Sequence, residues 1–162
     1  MDRASRPISA TVVAIIGLIF GFMALCAQPF SLMTYLVDLG PNPVLDVIKA
    51  SDALYLFMVS FSILGLFMAL LEIIGSMGLL FMKPWGRALM VFYALVTLLM
   101  LFVHTVVYCI FLLPHMLQTG DPIMVGSAVG GLAGGCVGGV IPLAFVIVLT
   151  RPNVAEAYRG AL

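Results

Sequence analysis

The chain has 162 residues, of which 64% are hydrophobic and 9% are charged. Soluble domains are about half apolar and about a quarter charged, so this composition excludes a water-soluble fold. Seven Lys and Arg residues balance seven Asp and Glu residues, and a chain without net charge lacks the basic surface that nucleic-acid binding requires. We therefore expect an integral membrane protein whose main partner is the lipid bilayer, with no nucleic acid bound.

Four apolar runs are long enough to cross a bilayer as α-helices. The hydrocarbon core is about 30 Å thick and takes about 20 residues at 1.5 Å each. The runs cover residues 8–27, 53–82, 88–113 and 122–150. We expect the first run to be retained, because it is longer than the apolar region of a cleaved signal peptide. The sequence predicts an all-α fold, a four-helix transmembrane bundle that forms a single membrane domain over residues 1–162.

The basic residues are divided unevenly between the two sides of these spans. Lys49 is the only base on one side, and the others lie on the opposite side: Arg3, Arg6, Lys83, Arg87, Arg151 and Arg159. The positive-inside rule then predicts that both termini are cytoplasmic. Five residues at this boundary are expected to anchor the spans at the headgroups: Arg6, Lys83, Trp85, Arg87 and Arg151.

The connections between spans differ in length and composition. The short segment 83–87 makes the second and third spans antiparallel neighbours. The outer loop, residues 28–52, contains apolar residues at helical spacing and is expected to include a short interfacial helix. This helix is interpreted as a cap over the bundle or as a partner-binding element. In the cytoplasmic tail, residues 151–162, Asn153 and Glu156 resemble the capping box of a brief helix.

Small residues are spaced for close helix packing. Within lipid, helices associate through small residues that let backbones approach, as in GxxxG pairs. The first span contains Gly17 and Gly21, and the second places Gly65 on the same face as its one acid. The fourth span has glycines on more than one side: Gly130, Gly131, Gly134, Gly135, Gly138 and Gly139. Such a helix has room for two close neighbours, one within the bundle and one in a second copy of the chain.

Glu72 is the only Asp, Glu, Lys or Arg within the four runs. An acid in a span is costly and is by default a functional candidate. It lies about 16 Å inside the cytoplasmic boundary, at a depth similar to that of Thr97, which is a candidate hydrogen-bond partner. Two interpretations follow: a protonated acid that fixes helix register, or a group that handles protons or cations.

His104 is the third intramembrane polar candidate. It lies about 25 Å from the same boundary, so a direct contact with Glu72 is not expected. An outer metal site with Tyr108 and His115 can be drawn, but the spacing matches no known ligand pattern, and a packed or interfacial histidine is favoured. We predict no metal and no cofactor.

The remaining reactive groups give no catalytic signature. Cys26, Cys109 and Cys136 all lie in spans and are interpreted as small buried hydrophobes, with a bridge between Cys26 and Cys109 left open. The sequence contains no recognisable catalytic triad, HExxH motif or paired carboxylates. The chain is therefore not expected to be an enzyme.

Three segments carry a family resemblance: Arg6–Gly17, the turn Lys83-Pro84-Trp85-Gly86-Arg87, and the closing Leu149-Thr150-Arg151-Pro152-Asn153-Val154. They resemble the uncharacterised small four-span membrane proteins that are widespread in bacteria. The resemblance covers most of the chain and implies a location in the bacterial inner membrane. It implies no activity.

Two functional hypotheses follow from these observations. The first is a structural, accessory or interaction subunit that self-associates or binds a larger membrane complex. The second is a small transporter or a proton or ion pathway that uses Glu72. The second hypothesis requires a polar route to Glu72 from at least one face, whereas the first expects small residues to enclose it.

Overall fold

The computed structural model describes residues 7–37, 40, 42–119 and 122–159. Its long helices are α1 (Ile8–Leu36), α3 (Asp52–Leu80), α4 (Pro84–Val107) and α6 (Pro122–Thr150). Short helices form α2 (Pro43–Lys49), α5 (Leu113–Thr119) and α7 (Pro152–Arg159), and the described residues contain no strand. Four helical segments are long and apolar enough to cross a membrane, which confirms the predicted all-α class with four candidate spans.

Helix α1 is longer than predicted. The sequence interpretation began the outer loop at Gln28, next to Pro29, but the helix continues through both residues to Leu36. A proline inside a helix removes one backbone hydrogen bond. A helix at membrane depth can nevertheless continue, because breaking it would expose more unpaired backbone groups to lipid. The loop prediction was therefore wrong for residues 28–36, and this correction brings Gln28 into the bundle.

The third span is also longer than predicted, at both ends. It begins at Pro84 rather than at residue 88, because proline fits the first turn of a helix. It continues beyond Leu113 through a π-helical turn, Tyr108–Leu112, into α5. The Leu113 amide donates to the Tyr108 carbonyl, five residues earlier. This wider turn lies where Pro114 would otherwise clash with a carbonyl of a regular α-helix, so the helix passes the proline without ending.

The second span ends at Leu80, two residues earlier than predicted, and a tight turn leads to α4. Met82 in this turn has a left-handed backbone, with φ of 53°. The helices it joins approach closely at Gly78 and Gly86: a Cβ on Gly78 would lie 2.6 Å from the Gly86 Cα. We call this end of the bundle, marked by Lys83, Arg87 and Arg151, the basic end, and the opposite end the α2 end.

Two apolar cores hold the bundle, one near each end. At the basic end α1, α3, α4, α6 and α7 contribute the buried residues Ala10, Val13, Ala14, Leu79, Met90, Ala94, Phe145, Leu149, Val154 and Tyr158. At the α2 end the buried residues are Ile48, Leu54, Met58, Leu112, Met116, Met124 and Ala128. Between these cores the bundle is less completely filled, and the polar candidates of α3 and α4 lie there.

Helix α2 lies within the predicted outer loop. The Asn42 side chain accepts hydrogen bonds from the amides of Val44 and Leu45, at 3.1 and 3.3 Å, which satisfies two amides of its first turn. Leu45 and Ile48 are buried, and Ile48 belongs to the core at the α2 end. The apolar face of α2 therefore packs on its own bundle.

Helix α7 begins at Pro152, so Asn153 lies inside its first turn and is not the predicted N-cap. Its first amide bonds run from Val154 and Ala155 to the Arg151 carbonyl, at 3.1 and 3.0 Å. Proline is well placed at the first position of a helix, which moves the helix start one residue earlier than the capping-box pattern indicated. The Tyr158 side chain is 1% exposed, and its hydroxyl donates to the Leu79 carbonyl at 2.9 Å.

Candidate functional site: a polar cavity beside Glu72

Glu72 is buried on the inner face of α3. It is 2% exposed, and its side chain interacts with that of Tyr93 on α4. A phenol is a suitable neighbour for a buried acid, because its hydroxyl can donate to a carboxylate or accept from a protonated acid. Glu72 thus faces Tyr93 across the α3–α4 interface.

Thr97 is not the hydrogen-bond partner of Glu72, contrary to the sequence expectation. It lies one helical turn after Tyr93 and interacts with the Tyr93 side chain. Its Oγ1 nevertheless has no partner at hydrogen-bonding geometry within the protein. The longer phenol reaches Glu72 while the short threonine side chain does not, although both lie on one face of α4.

A cavity of about 200 Å³ lies beside this pair, between α1, α3 and α4. Glu72 is the only Asp, Glu, Lys or Arg that lines it, and the other polar side chains are Gln28, Tyr93, Thr97 and His104. The remaining lining is apolar: Ala24, Phe61, Gly65, Met68, Ala69, Met100 and Leu101. Glu72, Thr97 and His104 therefore border one space, although a direct contact between Glu72 and His104 was not expected.

His104 contributes an aromatic wall to this cavity. Its ring lies 5.0 Å from the Phe61 ring, centroid to centroid, and 6.3 Å from the Tyr108 ring. The Nδ1 atom is buried and has no hydrogen-bond partner within the protein. Two buried polar atoms without partners, Thr97 Oγ1 and His104 Nδ1, thus belong to residues of the same lining. Such atoms usually find a partner in water or a ligand.

Gln28 and Tyr93 are the lining residues that sequence reasoning missed. Gln28 lies four residues after Ala24 and extends the small-residue face of α1, but the first span was taken to end before it. Gly65 of α3 leaves room for its amide, because a Cβ there would lie 2.9 Å from Gln28 Cδ. Tyr93 lies one turn before Thr97 on α4. This spacing places both side chains on one face of the helix, so it could have identified Tyr93 as a lining residue.

The cavity reaches from mid-bundle toward the α2 end. Glu72 is eight residues from the end of α3 at Leu80, which places it about 12 Å from the basic end of that helix. His104 is twenty residues from the start of α4 at Pro84, which corresponds to about 30 Å. The polar side chains therefore cover about 18 Å of the bundle axis.

Comparison of the chain with protein-family models, with curated proteins and with solved structures finds no match. The geometry of the chain itself must therefore carry the functional argument.

The predicted glycine seams divide into packed and unpacked faces. In α1, Gly17 lies against Ser76, and a Cβ on Gly21 would lie 2.8 Å from Ile73. In α6, a Cβ on Gly131 would lie 2.8 Å from the Tyr108 hydroxyl, one on Gly139 would lie 2.9 Å from Leu101, and Gly135 also lies beside α4. On the other face of α6, a Cβ added at any of four glycines would meet no other part of the described structure within 4 Å: Gly126, Gly130, Gly134 and Gly138. We call these four residues the open glycine face.

The predicted anchors take several positions at the basic end. Arg87 Nε donates to the Leu149 carbonyl at 2.8 Å, which ties α4 to α6. Lys83 occupies the N-cap position of α4 without a side-chain hydrogen bond to the helix. Trp85 is exposed beside Gly78, and Arg151 is exposed between α6 and α7. Arg6 lies outside the described residues.

The three cysteines are free, and Cys26 and Cys136 are exposed rather than buried. The expectation of buried cysteines was therefore wrong for these two residues, because the helix faces that carry them point away from the bundle. Among the described residues, no group of three or more His, Cys, Asp and Glu side chains could hold a metal ion. Tyr108 instead donates to the Ser127 carbonyl of α6, at 3.1 Å.

Proposed function

We propose that the protein is a small membrane transporter or ion pathway in which Glu72 receives a proton or another cation. The cavity beside Glu72 is the observation that supports this function. Small residues alone would enclose an acid whose role was purely structural, whereas here the acid borders a space that four other polar side chains share.

The polar lining extends from Glu72 toward only one end of the bundle. The polar lining continues from Glu72 toward His104 and the α2 end. In the opposite direction, Ser76 is fully buried and donates to the Met90 sulfur at 3.5 Å, and the basic-end core follows. For a proton or another cation to cross the membrane, the contacts among α1, α3 and α4 at the basic end would have to rearrange, as in alternating access.

Ion flux in liposomes tests this function. We expect wild-type protein to dissipate an imposed pH or cation gradient, and Glu72→Gln to reduce that flux at least tenfold, because the amide cannot exchange a proton or balance a cation's charge. Ser62→Ala is the matched control: Ser62 is on α3 but outside the cavity lining, and its hydroxyl donates to the Met58 carbonyl.

Mass measurement in nanodiscs and thermal unfolding accompany the flux assay. Equal mass and stability of wild type and Glu72→Gln, together with lost flux, support a transport site. Absence of flux from both proteins, with a change only in stability or assembly, would contradict transport and assign Glu72 a structural role.

The open glycine face favours a second function, that of an accessory or interaction subunit. Its four glycines recur at every fourth residue of α6, so they lie on one side of the helix. Such a face lets another helix approach closely within lipid. We propose as its occupant a second copy of this chain, with a larger membrane complex as the alternative.

Native mass spectrometry in nanodiscs tests self-association. We expect wild type to form dimers or larger assemblies and Gly134→Leu to shift them toward monomer, because the added side chain prevents close approach. Val137→Leu, a change at an exposed residue of the same helix, should retain the assemblies. A monomeric wild type at all protein-to-lipid ratios would contradict self-association.

The cellular setting belongs to the same proposal. The resemblance to small bacterial four-span proteins and the uneven distribution of basic residues support a location in the bacterial inner membrane with both termini cytoplasmic. The α2 end of the cavity would then face the periplasm. No enzymatic step, metal or cofactor is part of the proposed function.

A further inference from the structure

The cavity is much larger than one water molecule. A water molecule occupies about 30 Å³ in the liquid, whereas an apolar cavity of about 150 Å³ can hold a molecule the size of benzene. The volume of about 200 Å³ beside Glu72 has room for a small organic molecule. The nature of the lining then determines which kind of molecule fits.

The charge of the lining favours a cation. Glu72 is the only Asp, Glu, Lys or Arg among the residues that border the cavity, and no lysine or arginine there could neutralise it. The neutral side chains of Gln28 and Thr97 add hydrogen-bonding groups but no formal charge. A ligand with one positive charge would compensate Glu72 at a depth where an isolated charge is costly.

The rest of the lining favours an apolar body around that charge. The Tyr93 ring borders the cavity beside Glu72, and aromatic faces attract alkylammonium groups through their quadrupole. Met68 and Met100 add polarisable thioethers, which suit irregular apolar ligands. A hydrated inorganic ion would gain little from these surfaces.

We propose that this cavity binds a small organic ammonium ion, with the charge balanced by Glu72 and the alkyl groups packed against Met68 and Tyr93. This ligand class rests on the proposed function, since it names what the transport site accepts. The cavity volume limits the ligand to a compact cation.

Equilibrium dialysis of the full-length protein in nanodiscs, with radiolabelled tetramethylammonium as the probe, tests this inference. We expect saturable binding at one site per chain, weakened at least tenfold by Glu72→Gln. Neutral tert-butanol, which is similar in size, and tetrabutylammonium, which is too large for the cavity, should not compete. Ser62→Ala, outside the lining, should bind as wild type does.

A second variant tests ligand binding without changing Glu72. Ala24→Leu retains Glu72 but fills part of the cavity from α1, and we expect it to lose tetramethylammonium binding while unfolding at the same temperature as wild type. Equal binding by wild type and Glu72→Gln, or equal competition by tert-butanol, would overturn the inference.

The two proposals fail in different ways. Proton flux that depends on Glu72, without tetramethylammonium binding, would overturn the organic-cation site and leave the pathway standing. Tetramethylammonium binding that depends on Glu72, without flux of either ion, would support the site and overturn transport.

Discussion

At the scale of single residues, the approach of Tyr93 to Glu72 is the most consequential contact. It brings α3 and α4 together beside the cavity, and it gives a 2%-exposed acid a neighbour whose hydroxyl suits either protonation state. The same hydroxyl lies near Thr97. The Tyr93 phenol therefore lies between the Glu72 and Thr97 side chains.

Removing that phenol hydroxyl should destabilise the bundle. We expect Tyr93→Phe to lower the free energy of unfolding by about 1 kcal/mol, because hydrogen bonds between membrane helices contribute about that much. Thermal unfolding in detergent micelles measures the change. In a double-mutant cycle with Glu72→Gln, the two losses should be less than additive. Full additivity would show that the hydroxyl does not act through Glu72.

At the scale of elements, glycines decide how closely the helices pack. Gly78 and Gly86 bring the backbones of α3 and α4 together immediately next to the turn that joins them, whereas the open glycine face of α6 contacts no other helix. Identical residues thus have different surroundings, because Gly78 and Gly86 lie between two backbones whereas the open glycine face has no neighbour among the described residues.

The same substitution at the two places should separate these roles. Gly86→Ala should destabilise the protein by about 2 kcal/mol, because its Cβ would meet the Gly78 backbone, which cannot move aside as a side chain can. Gly134→Ala should be neutral or slightly stabilising in the monomer, since alanine is the better helix former. Unfolding in urea or dodecyl sulfate measures both; equal effects would refute the contrast.

Helix α7 is an element of the basic-end core rather than a loose tail. Tyr158 and Val154 are buried against the bundle, and the Tyr158 hydroxyl donates to the Leu79 carbonyl. This bond helps to satisfy a carbonyl in the last turn of α3, where helical partners run out. The chain after the last span therefore contributes to stability.

Truncating the Tyr158 side chain should release α7. We expect Tyr158→Ala to cost about 3 kcal/mol, as for other buried aromatic residues, and to make the segment after Arg151 sensitive to protease. Tyr158→Phe should cost only about 1 kcal/mol, the value of one hydrogen bond. Glu156→Ala, at an exposed position of the same helix, is the control. Protease resistance of Tyr158→Ala equal to that of wild type would contradict the docking role.

At the scale of the whole molecule, the bundle has two unlike ends. The basic end carries Lys83, Arg87 and Arg151 around a filled core, while the α2 end carries the short helix and the end of the cavity that reaches His104. This asymmetry links orientation to function, because it decides which compartment would have access to Glu72.

Thiol labelling in intact cells should report the orientation. After the three free cysteines are replaced by alanine, an impermeant reagent should label Asp46→Cys on α2 and spare Glu156→Cys on α7, both of which are exposed positions. Labelling in permeabilised cells provides the control for reactivity. The opposite pattern in intact cells would place the termini outside and reverse the direction of access.

The sequence by itself determined the class of fold, the four apolar segments and the position of Glu72 along α3. Those properties depend on the hydropathy and length of each segment, because a segment inserts in lipid according to its own sequence. The predicted ends of the first and third spans, at residues 27 and 113, were wrong, because α1 continues through Pro29 and a π-helical turn accommodates Pro114.

Only the tertiary structure decided which faces meet. In the assembled bundle Tyr93, rather than Thr97, lies against Glu72, and Gln28 borders the cavity. The α6 glycines lie on one packed and one open face, and Tyr158 is buried. A helix that is apolar on all sides carries little periodic pattern to show which face turns inward. In lipid that choice is made by close packing and hydrogen bonds between helices, so it emerges only when the helices are assembled.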